Sequence, residues 1–299
     1  MKKPGSRKLG HLLMETVREF RSDNALKLSA ALSYYAFFAL PPLLIIIIAL
    51  CGVFFGKEAV RGEIFGQING VVGNATALQI QEALKNIKLS SRSTFATSAG
   101  VILLIMGASA MFAEIQDSLN LIWGLRTKPQ RRLIKFLKNR LISFAMIGSA
   151  GVLVLAGLVV NSLMDVLPKG LASNFSKGTV QLFYALDLAL VFAAITLLFT
   201  IIFKTLPNGQ VALRDAALGA SLTAVLFMIG KFAIGAYLGK STIATAYGAA
   251  GSVIVILVWV YYSAIILYFG AEFTKVYANT RGRKIIPNED SVNTKERKG

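Results

Sequence analysis

Cysteine and histidine occur once each, as Cys51 and His11, and acidic side chains number only 15 in 299 residues. A lone cysteine forms no intrachain disulfide. A lone histidine supplies neither a His-ligated metal centre nor the usual acid–base pair of a hydrolase. No cysteine pair, metal-ligand cluster or Gly-rich dinucleotide fingerprint accompanies them. Gly235-Ala236-Tyr237-Leu238-Gly239-Lys240-Ser241 resembles a phosphate-binding loop, but it is one residue short between its glycines and follows a long apolar run instead of a strand. These absences predict a protein that is not an enzyme and that carries no cofactor and no resident metal.

Charge is scarce as well. Only 16% of the residues are charged against 55% hydrophobic, with a mean hydropathy of +0.62, whereas a soluble domain carries about a quarter charged residues. The apolar residues gather into uncharged or nearly uncharged runs at about 28–56, 93–113, 141–164, 178–203, 214–239 and 246–273. Each run meets or exceeds the roughly 20 residues that a helix needs to cross a hydrocarbon core. Apolar residues continue through every phase of a turn instead of alternating, which favours helix over barrel strand. The expected fold class is therefore all-α: a polytopic membrane protein of six transmembrane helices over 28–275, flanked by interfacial amphipathic helices. Residues 1–27 form a basic interfacial segment, and the basic tail 276–299 is expected to be disordered.

A formal charge of +17 would suggest nucleic acid as a partner in a soluble protein. Its distribution says otherwise. Alternate loops collect 23 Lys and Arg on one side of the runs and 8 on the other, so the positive-inside rule places both termini in the cytoplasm. Leu9, Leu12, Leu13, Val17 and Phe20 fall near one helical face after four basic residues, and Arg131, Arg132, Lys135 and Lys138 interleave with Leu133, Phe136 and Leu137. Both stretches read as anchors on an anionic leaflet. Membrane lipids are thus the expected partner, nucleic acid is not, and a homo-oligomer or an envelope protein remains an alternative.

Polar residues within the runs are few enough to name. Pro41 and Pro42 break the first span, because each proline removes a backbone donor and clashes with the preceding turn; a cavity-lining break and a packed kink are both consistent with them. Asp187 and Lys231 lie 22 residues on either side of Gly209 in a turn between two spans, which sets them at one depth of an antiparallel hairpin. They read either as a polar pathway or as a buried ion pair fixing helix register. At the cytoplasmic end, Glu114, Asp117 and Asn120 recur at spacings of three, and Glu272 closes the last span; together they are read as a polar cluster able to take a cation or proton, or as a solvated helix end.

Longer motifs carry a resemblance. Ala30-Ala31-Leu32-Ser33-Tyr34-Tyr35-Ala36 before a proline, Leu119-Asn120-Leu121-Ile122-Trp123, Lys204-Thr205-Leu206-Pro207, Tyr247-Gly248-Ala249-Ala250-Gly251-Ser252 and Gly270-Ala271-Glu272-Phe273 are together similar to the YihY/BrkB family of bacterial inner-membrane proteins, over about residues 10–280. Where that family has a Ser-Leu or Ser-Phe step and one proline, this chain has Ala39-Leu40-Pro41-Pro42. The resemblance implies six spans, cytoplasmic termini and the bacterial inner membrane. Some members carry a transfer-RNA ribonuclease label, against which the single histidine and the lack of a soluble RNA-binding face argue; others are linked to lipid or lipopolysaccharide-precursor transport. The expected function is a transporter or flippase-like protein for an anionic lipid or amphiphile in envelope biogenesis, the alternative being a non-transporting scaffold or assembly factor.

Overall fold

The computed structural model describes residues 6–39, 94–127, 177–240, 249–288 and 291–293. Six helices appear there: α1 (Ser6–Ser22), α2 (25–39), α3 (Thr94–Ile122), α4 (Lys177–Thr205), α5 (Leu213–Lys240) and α6 (Ala249–Thr280). Three of them, over Leu188–Thr205, Leu213–Gly230 and Ile256–Thr280, are long and apolar enough to cross a membrane. The protein is an all-α, multi-spanning membrane protein with at least these three apolar helices. The runs at 93–113, 178–203, 214–239 and 246–273 overlap α3 to α6, and α3 continues beyond its run to Ile122. Only residues 28–39 of the first expected span and none of the third (141–164) belong to the described residues. Pro41, Pro42, Arg131, Arg132, Lys135 and Lys138 also lie outside them.

Helices α4 and α5 form an antiparallel hairpin, and α5 packs in turn on α6. The α5–α6 contact is reciprocal. Thr223 sits against Gly270 while Thr274 sits against Gly219, so close that a methyl group on either glycine would overlap the facing threonine hydroxyl. Each threonine hydroxyl donates to the carbonyl four residues back in its own helix, Thr223 to Gly219 and Thr274 to Gly270, both at 2.8 Å. Two Gly-x-x-x-Thr stretches therefore mesh head to tail, with every hydroxyl satisfied before it enters the interface. Further along, Tyr262 fills the space above Gly230.

The core lies where α2, α3 and α6 meet the α4–α5 turn: Leu32, Leu119, Ile122, Trp123, Phe203, Leu206 and Tyr268 are buried together. Helix α1 lies against α6, with Phe20 edge-on to Phe269 at 5.8 Å between ring centres. Its apolar face is divided. Phe20 and Thr16 are buried, whereas Leu9, Met14 and Val17 remain exposed.

The tail expected to be disordered is in part structured, and this corrects the sequence reading. Gly282, at φ +72°, ends α6, with Arg283 N–H donating to the Ala278 carbonyl and Gly282 N–H to that of Asn279, both at 3.0 Å; this is the Schellman reversal that glycine permits. The chain then turns back along the base of the bundle. There β3 (Ile286–Pro287) pairs with β2 (Gly209–Gln210) in the α4–α5 turn, and β4 (Ser291–Asn293) pairs with β1 (Leu125–Thr127) after α3, both antiparallel. Paired backbone groups, not apolar patterning, hold these short strands. We call this end of the bundle the basal end.

Candidate functional site

Elements at the basal end bring three carboxylates around one ammonium. Lys275 Nζ lies 2.8 Å from Asp23 Oδ2, 2.9 Å from Glu19 Oε2 and 3.1 Å from Glu272 Oε2. Helical spacing prepares both halves: Glu19 and Asp23 are four apart at the end of α1, and Glu272 and Lys275 are three apart on α6. Asn24, with φ 54°, takes the left-handed turn that ends α1 and lets the chain re-enter α2. Glu272 is completely buried, and its Oε1 has no hydrogen-bond partner. Oxygens of Glu19, Asp23 and Glu272 lie within 4.8 Å of one another. That grouping has the size of a cation site, but the Lys275 ammonium bonds to all three carboxylates and stands where a metal ion would bind.

Beside this cage is a second polar knot. Asn120 Oδ1 accepts the Asn208 N–H at 2.8 Å. The Asn208 carbonyl in turn accepts Ser291 Oγ at 2.6 Å and Asn288 N–H at 3.0 Å. Gln116 Nε2 donates to the Leu206 carbonyl at 2.6 Å, and Lys204 Nζ donates to that of Val211 at 2.6 Å. The end of α3, the α4–α5 turn and the tail are thus joined through backbone groups. Asp215, buried in the first turn of α5, faces Arg283 Nη2 at 2.9 Å, so the same tail also supplies a cation to a buried carboxylate. Trp123 Nε1 donates to the Ala271 carbonyl at 3.1 Å, setting α3 against α6.

The residues expected as one cytoplasmic-side cluster separate. Glu272 joins α1, and Asn120 joins the α4–α5 turn. Glu114 accepts the Ser118 hydroxyl at 3.3 Å, with the buried Tyr268 nearby, and Asp117 is exposed. At about 100° per residue, each step of three turns the helix face by about 60°, so Glu114 and Asn120 point about 120° apart. Asp187 and Lys231 are placed on the paired helices α4 and α5, but their side chains lie outside the described residues. Glu19, Asp23 and Lys275 were not singled out in the sequence, although the spacings Glu19-x-x-x-Asp23 and Glu272-x-x-Lys275 were there to be read. What was missing was knowledge that α1 lies on α6.

The family described as Virulence factor BrkB matches residues 16–294, which include all of the cage and the knot. The chain belongs to the YihY/BrkB family. Membership makes it a multi-spanning protein of the bacterial inner membrane. Among its YihY/BrkB relatives, a UPF0761 membrane protein of Saccharophagus degradans is 29% identical over 271 residues, covering 90% of this chain and 60% of that protein. One from Alkalilimnicola ehrlichii is 29% identical over 261 residues, 87% of this chain and 56% of the relative. Another from Pseudomonas paraeruginosa is 30% identical over 260 residues, 84% and 59%. The chain therefore spans somewhat under two thirds of the length of these family members. No solved structure matches it.

Proposed function

We propose that this protein moves an anionic, lipid-like amphiphile in the inner membrane during envelope biogenesis, with no catalytic step of its own. The observation that carries this reading is the buried polar equipment at the base of an otherwise apolar bundle: the Lys275 cage around the fully buried Glu272, whose Oε1 has no hydrogen-bond partner among the described residues. Burying ionisable groups at the foot of membrane helices is costly, and such groups mark polar pathways. A structural bundle of this size would be served better by apolar side chains.

Purified protein in liposomes tests this with fluorescent phosphatidylglycerol and phosphatidylcholine as cargo. Accelerated translocation of the anionic lipid, reduced several-fold in Glu272→Gln, supports transport. Rates equal to those of empty liposomes for every lipid overturn it.

A scaffold role has one observation in its favour. The pairing of the tail with the α3 end and the α4–α5 turn builds a fixed polar platform, the kind of surface on which a partner docks without any transport. Co-purification of a stoichiometric partner that is lost when residues 286–293 are deleted would favour that reading.

A further inference from the structure

Helix α2 has two unlike sides. One is packed into the bundle through Ala25, Ser29, Leu32, Ser33, Ala36 and Ala39. The other carries Lys27, Ala31, Tyr34 and Phe38 at successive steps of four, three and four residues, which is one continuous stripe along a helix. Lys27 is exposed, Ala31 is half-buried, and Tyr34 and Phe38 are 59% and 55% exposed. The rings are not splayed at random: Tyr34 meets Phe38 edge-on at 5.0 Å and Tyr35 at 5.6 Å. An exposed aromatic ladder with a cation at its foot and only small side chains between them is a continuous strip open to an elongated apolar ligand.

We propose that this stripe seats one anionic phospholipid, its phosphate at Lys27 and an acyl chain lying along Ala31 and against Tyr34 and Phe38. Dimensions and charge select this occupant. From Lys27 to Phe38 the stripe rises about 16 Å at 1.5 Å per residue, and half of a hydrocarbon core is about 15 Å, so the ladder matches one leaflet. Lys27 lies in the first turn of α2, just past the Asn24 elbow. Helix α1 on the other side of that elbow exposes Met14 and Val17 beside Arg18 and Arg21, the mixture of an interface-lying helix. The elbow therefore marks the headgroup plane, and Lys27 stands at phosphate level. A zwitterionic lipid offers the same chains, but its choline opposes the ammonium. A second copy of the chain would have to bring an anionic group opposite each Lys27, and a stripe paired with its own twin brings another lysine.

Native mass spectrometry of the detergent-solubilised full chain, titrated with dioleoyl phosphatidylglycerol or dioleoyl phosphatidylcholine, tests the assignment. The expected result is one phosphatidylglycerol retained in preference to phosphatidylcholine. Lys27→Gln should weaken that retention about fivefold, the worth of one basic residue near a membrane surface, and Lys27→Arg should keep it. Tyr34→Ala with Phe38→Ala should weaken both lipids together and leave the preference between them. Equal retention by wild type and Lys27→Gln, with both variants monodisperse and melting like wild type, overturns the proposal; so does a lipid-free dimer disrupted by Phe38→Ala. Binding without translocation would count against the transport reading alone, and translocation indifferent to Lys27 would count against the seat alone.

Discussion

At the scale of single residues, Lys275 holds more of the structure than any sequence feature announces. Its ammonium lies 3.1 Å from the buried Glu272 carboxylate, and it also ties α1 to α6 through Glu19 and Asp23. Lys275→Met removes the ammonium that Glu19, Asp23 and Glu272 share, and taking one partner out of a buried pair costs about 3–5 kcal/mol. Glu272→Gln keeps the shape of the side chain and leaves Lys275 with Glu19 and Asp23, so it should be much milder. Thermal unfolding in detergent should therefore rank wild type above Glu272→Gln and both well above Lys275→Met. A Lys275→Met variant melting with wild type would mean that the cage contributes nothing to stability. The asymmetry matters for function too: a variant that spares the fold but removes the buried carboxylate separates a transport role from a structural one.

At the scale of elements, the α5–α6 pair shows why some of the architecture was legible and some was not. The spans themselves are one-dimensional: some twenty uncharged residues are visible without knowing any neighbour, and α4 and α5 coincide closely with their runs. The reciprocal Gly219–Thr274 and Gly270–Thr223 contacts depend on which helices meet and in what register, and glycines scattered among alanines in a span do not say so. The base of the bundle was the hardest to read. Strands of two and three residues, Gly209 opposite Pro287 and Leu125 opposite Asn293, carry no periodicity, and their partners are remote in sequence. Glu114 and Asp117 are neighbours at a spacing of three, but the second step of three carries Asn120 about 120° round the helix from Glu114 and onto the α4–α5 turn. Close packing gives a direct test of the reciprocal contact. Gly219→Ala and Gly270→Ala each push a methyl group into a threonine and should cost about 1–3 kcal/mol. Gly10→Ala, with nothing within 4 Å of the new methyl group in α1, should be neutral or stabilise by up to about 1 kcal/mol through helix propensity. Melting temperatures of the three single variants decide the matter, and equal values would rule out a close-packed α5–α6 seam.

At the scale of the whole molecule, the two ends of the chain converge. Helix α1 is clasped to the end of α6 by Lys275, and the residues after α6 pair with the α4–α5 turn and with the strand that follows α3. Every one of these elements belongs to a segment that the charge count assigns to the side rich in Lys and Arg, which holds 23 against 8. Geometry brings α1 and the residues after α6 to one base, and from the charge count we propose that this base faces the cytoplasm. The prediction is that Ser6→Cys and Gly299→Cys, each in a Cys51→Ser background, react with a membrane-impermeant maleimide in inverted vesicles and resist it in intact spheroplasts. Reaction of one site but not the other in spheroplasts would require an odd number of crossings, which the shared base does not permit without unclasping α1 from α6. Reaction of both in spheroplasts would invert the molecule and place its cations on the wrong side of the membrane. Such an inversion would also move the foot of α2, with Lys27, from the inner leaflet to the outer one, so the labelling pattern fixes which leaflet supplies the lipid.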